Sequence, residues 1–256
     1  MKLNNLEFFF VNSPIRAYIQ EKYELPILMN MLTSKAFDSV LEIGCGNGNG
    51  TKLIKKYINP IHITAIDLDE KMIQIAKRTF HDETTTFKVM DSSTLDFPNE
   101  SFDAIFDFGI IHHIPNWKDC IGELRRVLKN GGKLVLAEFS IDTFSGFPGR
   151  LYRSMLSHPY EQMFSTEEFV QHLEKVGFKI DDFKKSNPLK IMPHFFLVAS
   201  VPSKAHEKTD TADTENTQRI SRIQISDKFG KALIHIRSHR IAPLKMELTS
   251  LTIAHR

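Results

Sequence analysis

The chain has 256 residues, 41% of them hydrophobic and 25% charged; this is ordinary globular composition, which excludes collagen-like, disulfide-rich and wholly disordered classes. A formal net charge of +2 is too near neutrality to hold a polyanion, so nucleic acid is not an implied partner. The two cysteines, Cys45 and Cys120, stand far apart without ligand spacing; neither a disulfide framework nor a cysteine-based metal site is indicated, and a reducing, cytoplasmic setting fits.

The N-terminus, MKLNNLEFFFVNSPIRAYIQEKYELP, has one short apolar run broken by Asn12, Ser13, Pro14 and Arg16. That run is too short for a signal-peptide core or a membrane span. Apolar residues at helical spacing, Ile15, Ile19, Tyr23, Ile27 and Met31, predict a helical cap over residues 1–36. From 37 to about 202, the β-rich runs SVLEIG, HITAID, TTFKVMD, FDAIFDF and KLVLAEF alternate with amphipathic segments. Such alternation predicts right-handed βαβ units, a mainly parallel sheet and helices on both faces.

A break over 141–164 mixes Phe144, Phe147, Tyr152, Met155, Tyr160 and Met163 with Gly146, Pro148 and Gly149. It reads either as an apolar lid over a substrate or as rings packing on the sheet. FSTEEFVQHLEKVGF then reads as a helix capped by Ser165 or Thr166 and stopped at Gly177. Two strands follow, at 178–185 and 194–201, and the NPLKIMP between them is too short for a helical crossover, so the last of seven strands is expected antiparallel. Past Pro202 the chain becomes a polar linker, and the extension 203–256, with ten Lys and Arg against six Asp and Glu, has no assignable role.

The strongest local signal is Val40-Leu41-Glu42-Ile43-Gly44-Cys45-Gly46-Asn47-Gly48-Asn49-Gly50-Thr51, a strand running into a glycine-rich turn and a helix. Glycines there admit positive φ and close approach of a ligand to the backbone, although a tight turn without a ligand gives the same letters. Asp67, 23 residues after Gly44, ends the next strand, where a ribose lies in doubly wound folds; Asp69 suits the N-cap of EKMIQIAKRTF. Asp91 with Ser92 ends the third strand, where it meets the adenine amine or forms an Asx turn. Leu68 and Met90 would flank the ring.

Together, Glu42-x-Gly44-x-Gly46-x-Gly48, Ile66-Asp67-Leu68, Asp91, Phe102-Asp103-Ala104-Ile105 and Val127-Leu128-Lys129-Asn130-Gly131-Gly132 resemble class I S-adenosylmethionine-dependent methyltransferases over about residues 38–200. The tone is nearest the small-molecule, quinone-methylase-like branch. The resemblance implies a Rossmann-like seven-stranded sheet and S-adenosylmethionine as cofactor. It also implies cofactor contacts from Glu42, Gly44, Cys45, Gly46, Gly48, Asp67, Leu68, Asp91 and Ser92. Asn130 departs from the family's usual proline before the paired glycines.

A nicotinamide oxidoreductase would share the glycine turn and Asp67 but not the later elements. A nucleobase-amine methylase would carry an Asp/Asn-Pro-Pro-aromatic run where Asp107-Phe108-Gly109-Ile110 stands. The rival from another class is a catalytically silent cofactor-binding protein. Methyl transfer needs few catalytic groups, and Asp107 and His113 are assigned to the acceptor from a set that includes His112 and Glu138. The histidines precede Asn116, read as the N-cap of WKDCIGELRRVL, and either act on the acceptor or bond backbone. Twenty Phe in the chain lean toward an apolar or aromatic small-molecule acceptor. No metal is expected, and oligomeric state is not legible.

Overall fold

The computed structural model describes residues 8–9, 11–145, 149–153, 159–187 and 193–203. The calls of a linker and extension beyond 203, and of Phe147, Pro148 and Met155 within the expected lid, lie outside the described residues. Two short helices, α1 (Pro14–Ile19) and α2 (Leu25–Met31), are joined by a π-helical turn, Gln20–Glu24. There follow β1 (Ser39–Ile43), α3 (Asn49–Tyr57), β2 (His62–Asp67), α4 (Glu70–Thr79), β3 (Thr85–Val89) and β4 (Phe102–Asp107). The remainder is α5 (Trp117–Val127), β5 (Leu128–Glu138), α6 (Gly149–Arg153), α7 (Thr166–Lys175), β6 (Lys179–Ser186) and β7 (His194–Ser200), with 3-10 turns at Ile111–His113 and Ile141–Phe144.

The seven strands lie in the order β3-β2-β1-β4-β5-β7-β6. The first five pair parallel, and β7 is antiparallel to both β5 and β6. The chain winds outward in both directions from β1, so a crevice opens at the carboxyl ends of β1 and β4, where open α/β sheets bind ligands.

Period-two alternation sorts the strand residues onto two faces. Leu41, Ile43 and Ile105 join α5 and α7 through Ile121, Leu124, Phe169 and Leu173. Val40, Ala104 and Phe106 join α2 and α3 through Leu28, Ile54 and Ile58. The expected N-terminal cap is therefore divided: α2 is a layer of the fold proper, each of its buried side chains contributing about 1.5–3 kcal/mol, and only the segment before it overhangs the crevice.

Ser165 caps α7 by accepting the Glu168 N–H at 3.1 Å, and Gly177 ends it with φ +92°. Asn116 occupies the N-cap position of α5, but its side chain reaches Asp119 Oδ2 at 3.3 Å instead of capping the helix. The Leu128–Gly132 segment, the last run of the motif series, is the start of β5, with an irregular register against β4 between Phe102 and Ala104. Gly131 and Gly132 there exchange backbone bonds with Val201.

All residues of β7 are buried, whereas β6 is a mostly exposed edge carrying Lys179, Asp181, Asp182, Lys184 and Lys185, charges that discourage pairing with another sheet. The last described strand ends at Ser200, and a chain ended after Ser203 is expected to unfold cooperatively with a Tm within a few degrees of the full chain; loss of a cooperative transition in calorimetry would refute that boundary.

Candidate functional site

The carboxyl end of β1 turns sharply through Gly44, Gly46 and Gly48, with φ of +61°, +53° and +82°, conformations that L side chains rarely hold. A Cβ on Gly44 would stand 2.4 Å from Ile110, so the turn after β4 packs directly on it. The turn is closed by Gly48 N–H donating to Cys45 O at 2.9 Å and Cys45 N–H to Ile66 O at 2.9 Å. Burial pushes the Cys45 thiol up, making it a packing residue under the turn.

Asp67 fixes the turn from the neighbouring strand. Its Oδ2 accepts the Gly46 N–H at 2.9 Å and its Oδ1 the Asp69 N–H at 2.8 Å. Each oxygen keeps a second lone pair. Burial raises its pKa, against those two N–H bonds. Asp69 caps α4 by accepting the Lys71 N–H at 2.9 Å, the cap read from the sequence. Asp91 forms an Asx turn: Oδ1 accepts from Ser93 N–H at 2.8 Å and Ser93 Oγ at 2.6 Å. Oδ2 takes no part in that turn. Ser92 beside it is buried, while Leu68 and Val89 at the same strand ends are 45% and 51% exposed, large apolar side chains left open where a flat ring would lie.

Three carboxyls are buried at the ends of adjacent strands. Glu42 accepts a hydrogen bond from Thr51 Oγ1, and burial pushes its pKa up to about 8. A Cβ on Gly50 would stand 2.1 Å from Glu42 Oε1, so the absent side chain at 50 makes the carboxyl's room. Asp107 Oδ1 accepts the Gly109 and Ile110 N–H groups at 3.0 and 2.9 Å. Its Oδ2 is buried without a hydrogen-bond partner among the described residues. Burial, then the charge of Glu138, holds Asp107 well above the carboxylate range.

Glu138 is the hub of the acceptor side. It accepts Ile111 N–H at 2.5 Å, His112 N–H at 3.3 Å and Phe139 N–H at 2.7 Å, and its Oε2 lies 2.7 Å from His112 Nδ1. Burial raises it to about 7. His113 packs on His112 with ring centroids 4.2 Å apart. The sequence placed Asp107, His112, His113 and Glu138 at strand ends, but the His112–Glu138 bond joins residues on different elements and had no local signal. In the expected lid, Phe144 is buried and meets Tyr160 edge-on at 5.3 Å, and Met163 is buried too, which favours packing for those rings.

Residues 41–136 match a family profile described as a methyltransferase domain. Over those residues the chain is similar to methyltransferase domains. It is 33% identical over 158 residues to the 27-O-demethylrifamycin SV methyltransferase of Amycolatopsis mediterranei, covering 59% of this chain and 58% of that protein. It is 31% identical over 127 residues to the demethylmenaquinone methyltransferase of Tropheryma whipplei, covering 49% and 52%. The chain thus spans somewhat more than half the length of these relatives. A SAM-dependent methyltransferase from Aquifex aeolicus shares the fold with a TM-score of 0.61 at 18% identity, over 78% of this chain and all of that one.

Glu42 and Glu138 bind their protons more tightly in the folded chain than at the unfolded value of 4.5. The stability this contributes is complete below that value and is lost as pH rises through about 7 and about 8. Glu42→Gln, which has no proton to lose, is expected to raise Tm near about pH 9 and leave it close to wild type near about pH 5. A thermal-denaturation series checks this, and an equal shift at both ends would make the role of Glu42 steric.

Proposed function

We propose that this domain transfers the methyl group of S-adenosylmethionine to a small-molecule acceptor with an apolar or aromatic body, in the cytoplasm. The observation that carries the reading is the left-handed glycine turn gripped by Asp67, beside buried carboxyls at the strand-order reversal. Gly44, Cys45, Gly46 and Gly48 receive the methionine portion and Glu42 faces its ammonium. The spare lone pairs of Asp67 take the ribose hydroxyls. Leu68 and Met90 flank the adenine, with the exposed Val89 beside them, and Asp91 Oδ2 with Ser92 meets its polar edge.

Methyl transfer from sulfonium disperses positive charge in an in-line displacement, so the domain's task is alignment and exclusion of water. On the acceptor side the work falls to Asp107 and His113, with His112 beside them. Glu138 holds His112 at Nδ1, which fixes that ring beside His113. No described helix is long and apolar enough to cross a membrane. The rifamycin and menaquinone names of the relatives support an acceptor of small-molecule size.

S-adenosylmethionine and S-adenosylhomocysteine are expected to raise the melting temperature and NAD to leave it unchanged, because only ligands of the native state stabilise it. Asp67→Ala should weaken S-adenosylhomocysteine binding roughly tenfold or more by calorimetry, since a charge-assisted bond contributes about 1.5–3 kcal/mol. A cofactor-saturated protein that methylates nothing in a panel of phenols, quinones, amines and carboxylates would be a silent binder.

A further inference from the structure

The segment ahead of α2 is amphipathic the wrong way round. Phe9, Ile15 and Tyr18 are 75%, 67% and 57% exposed, whereas Gln20 and Glu24 are buried. No residue of α1 itself is buried. The inward stripe is Asn12, Arg16, Gln20 and Glu24, four residues apart, and the wider π turn at Gln20–Glu24 brings Glu24 back into line with Arg16.

Polar bonds lock that orientation. Gln20 Oε1 accepts from Asn49 Nδ2, at the start of α3, at 2.7 Å. Arg16 donates from Nη2 to Phe108 O, in the turn after β4, at 3.2 Å, and pairs from Nη1 with Glu24 Oε2 at 3.0 Å. Turning the segment over to bury Ile15 and Tyr18 would forfeit the bonds to Asn49 and Phe108. The apolar side chains are therefore held outward, and the Tyr18 and Tyr23 rings meet edge-on there with centroids 6.4 Å apart. Holding large apolar groups in water costs free energy that only a partner surface returns.

The charge beside this face is positive. Lys22 is exposed and lies between the two tyrosines in sequence. Glu21 accepts from Lys56 Nζ and from the Tyr57 hydroxyl, each at 2.9 Å, which joins the face to the end of α3 and leaves that acid neutralised. Lys52, four residues before Lys56, shares its side of α3, a helix with three lysines and no acid. The letters ahead of α1 add Leu6 and a run of three Phe at 8–10. Tyrosines with an apolar body and a polar tip, beside lysines whose stems bury while their heads stay wet, match the boundary between acyl chains and headgroups. We propose that this face docks on an anionic lipid surface, with Phe9, Ile15, Tyr18 and Tyr23 entering the headgroup boundary and Lys22, Lys52 and Lys56 meeting lipid phosphates. The attachment is peripheral, since no described helix is long and apolar enough to cross a membrane. It goes beyond the methyltransferase reading and stands without it; an acceptor with an apolar body would dissolve in the same layer.

The test is co-sedimentation of the full chain with vesicles of phosphatidylcholine alone and of an equal mixture with phosphatidylglycerol. The mixed vesicles are expected to bind the chain more tightly than the neutral ones, and the difference should shrink in high salt. Ile15→Ser combined with Tyr18→Ser is expected to lower affinity for the mixed vesicles about tenfold or more. The same double variant should keep the wild-type Tm, because both side chains are mostly exposed. Tyr18→Trp supplies a reporter, since the chain's one tryptophan, Trp117, is buried; its emission should move to shorter wavelength when mixed vesicles are added. A wild-type chain that sediments with neither vesicle would overturn the proposal. Vesicle binding undiminished by the double substitution, with no emission shift from the Tyr18→Trp chain, would place the contact elsewhere and overturn it too. A dimer that the double substitution splits, without vesicle binding, would make the face a contact between two copies instead.

Discussion

Three carboxyl groups taken out of water at the ends of β1, β4 and β5 set the terms for everything around them. Burying a charge without a partner is costly enough that the group holds its proton instead, and Glu42, Asp107 and Glu138 all respond in that direction. The surrounding backbone is recruited to make this tolerable. The turn at 109–110 is folded around Asp107 Oδ1, and the 3-10 turn at 111–113 starts on Glu138. A chain selected only for stability would gain by replacing such residues with apolar ones of similar volume. Their presence where the strand order reverses is therefore evidence of a site, independent of any likeness to other proteins.

The same cluster divides into two chemistries. Toward β2, Glu42 and Asp67 face a glycine turn that offers N–H groups and space, which suits a ligand held largely by backbone. Toward β5, Asp107 and Glu138 stand with two histidines in tilted ring contact and Phe139, which suits proton transfer beside an aromatic body. The methyl group would pass between these halves, across the turn that Asp107 folds, with the two reacting atoms brought into contact there.

Much of this was legible from letters because period and composition act locally. SVLEI, HITAID and FDAIFD alternate or run apolar as buried parallel strands do, and HFFLVAS, buried throughout, reads as a strand inside the sheet. Gly44 announces a left-handed turn, and Asp69 a helix cap, by position alone. What stayed hidden depends on contacts distant in sequence. The His112–Glu138 pair spans 26 residues and exists because β4 and β5 are neighbours. The Leu128–Gly132 run ends in two glycines, yet Val201 pairs with it from the far end of the domain. Arg16 escaped notice because Ile15, Ile19 and Tyr23 suggested an apolar inward face, and the helix is turned the other way.

Gly50 carries a constraint that reaches beyond this molecule. The room its missing side chain leaves is occupied by Glu42 Oε1, although nothing about residue 50 itself, inside a helix, calls for glycine. The two positions are therefore bound together as the sequence drifts. Glu42 can shorten or vanish while Gly50 stays, at the cost of a small void, but a side chain at 50 has to displace both the Glu42 carboxyl and the Phe108 ring, 2.8 Å from that Cβ. Filling position 50 therefore moves the acid and the turn after β4 together.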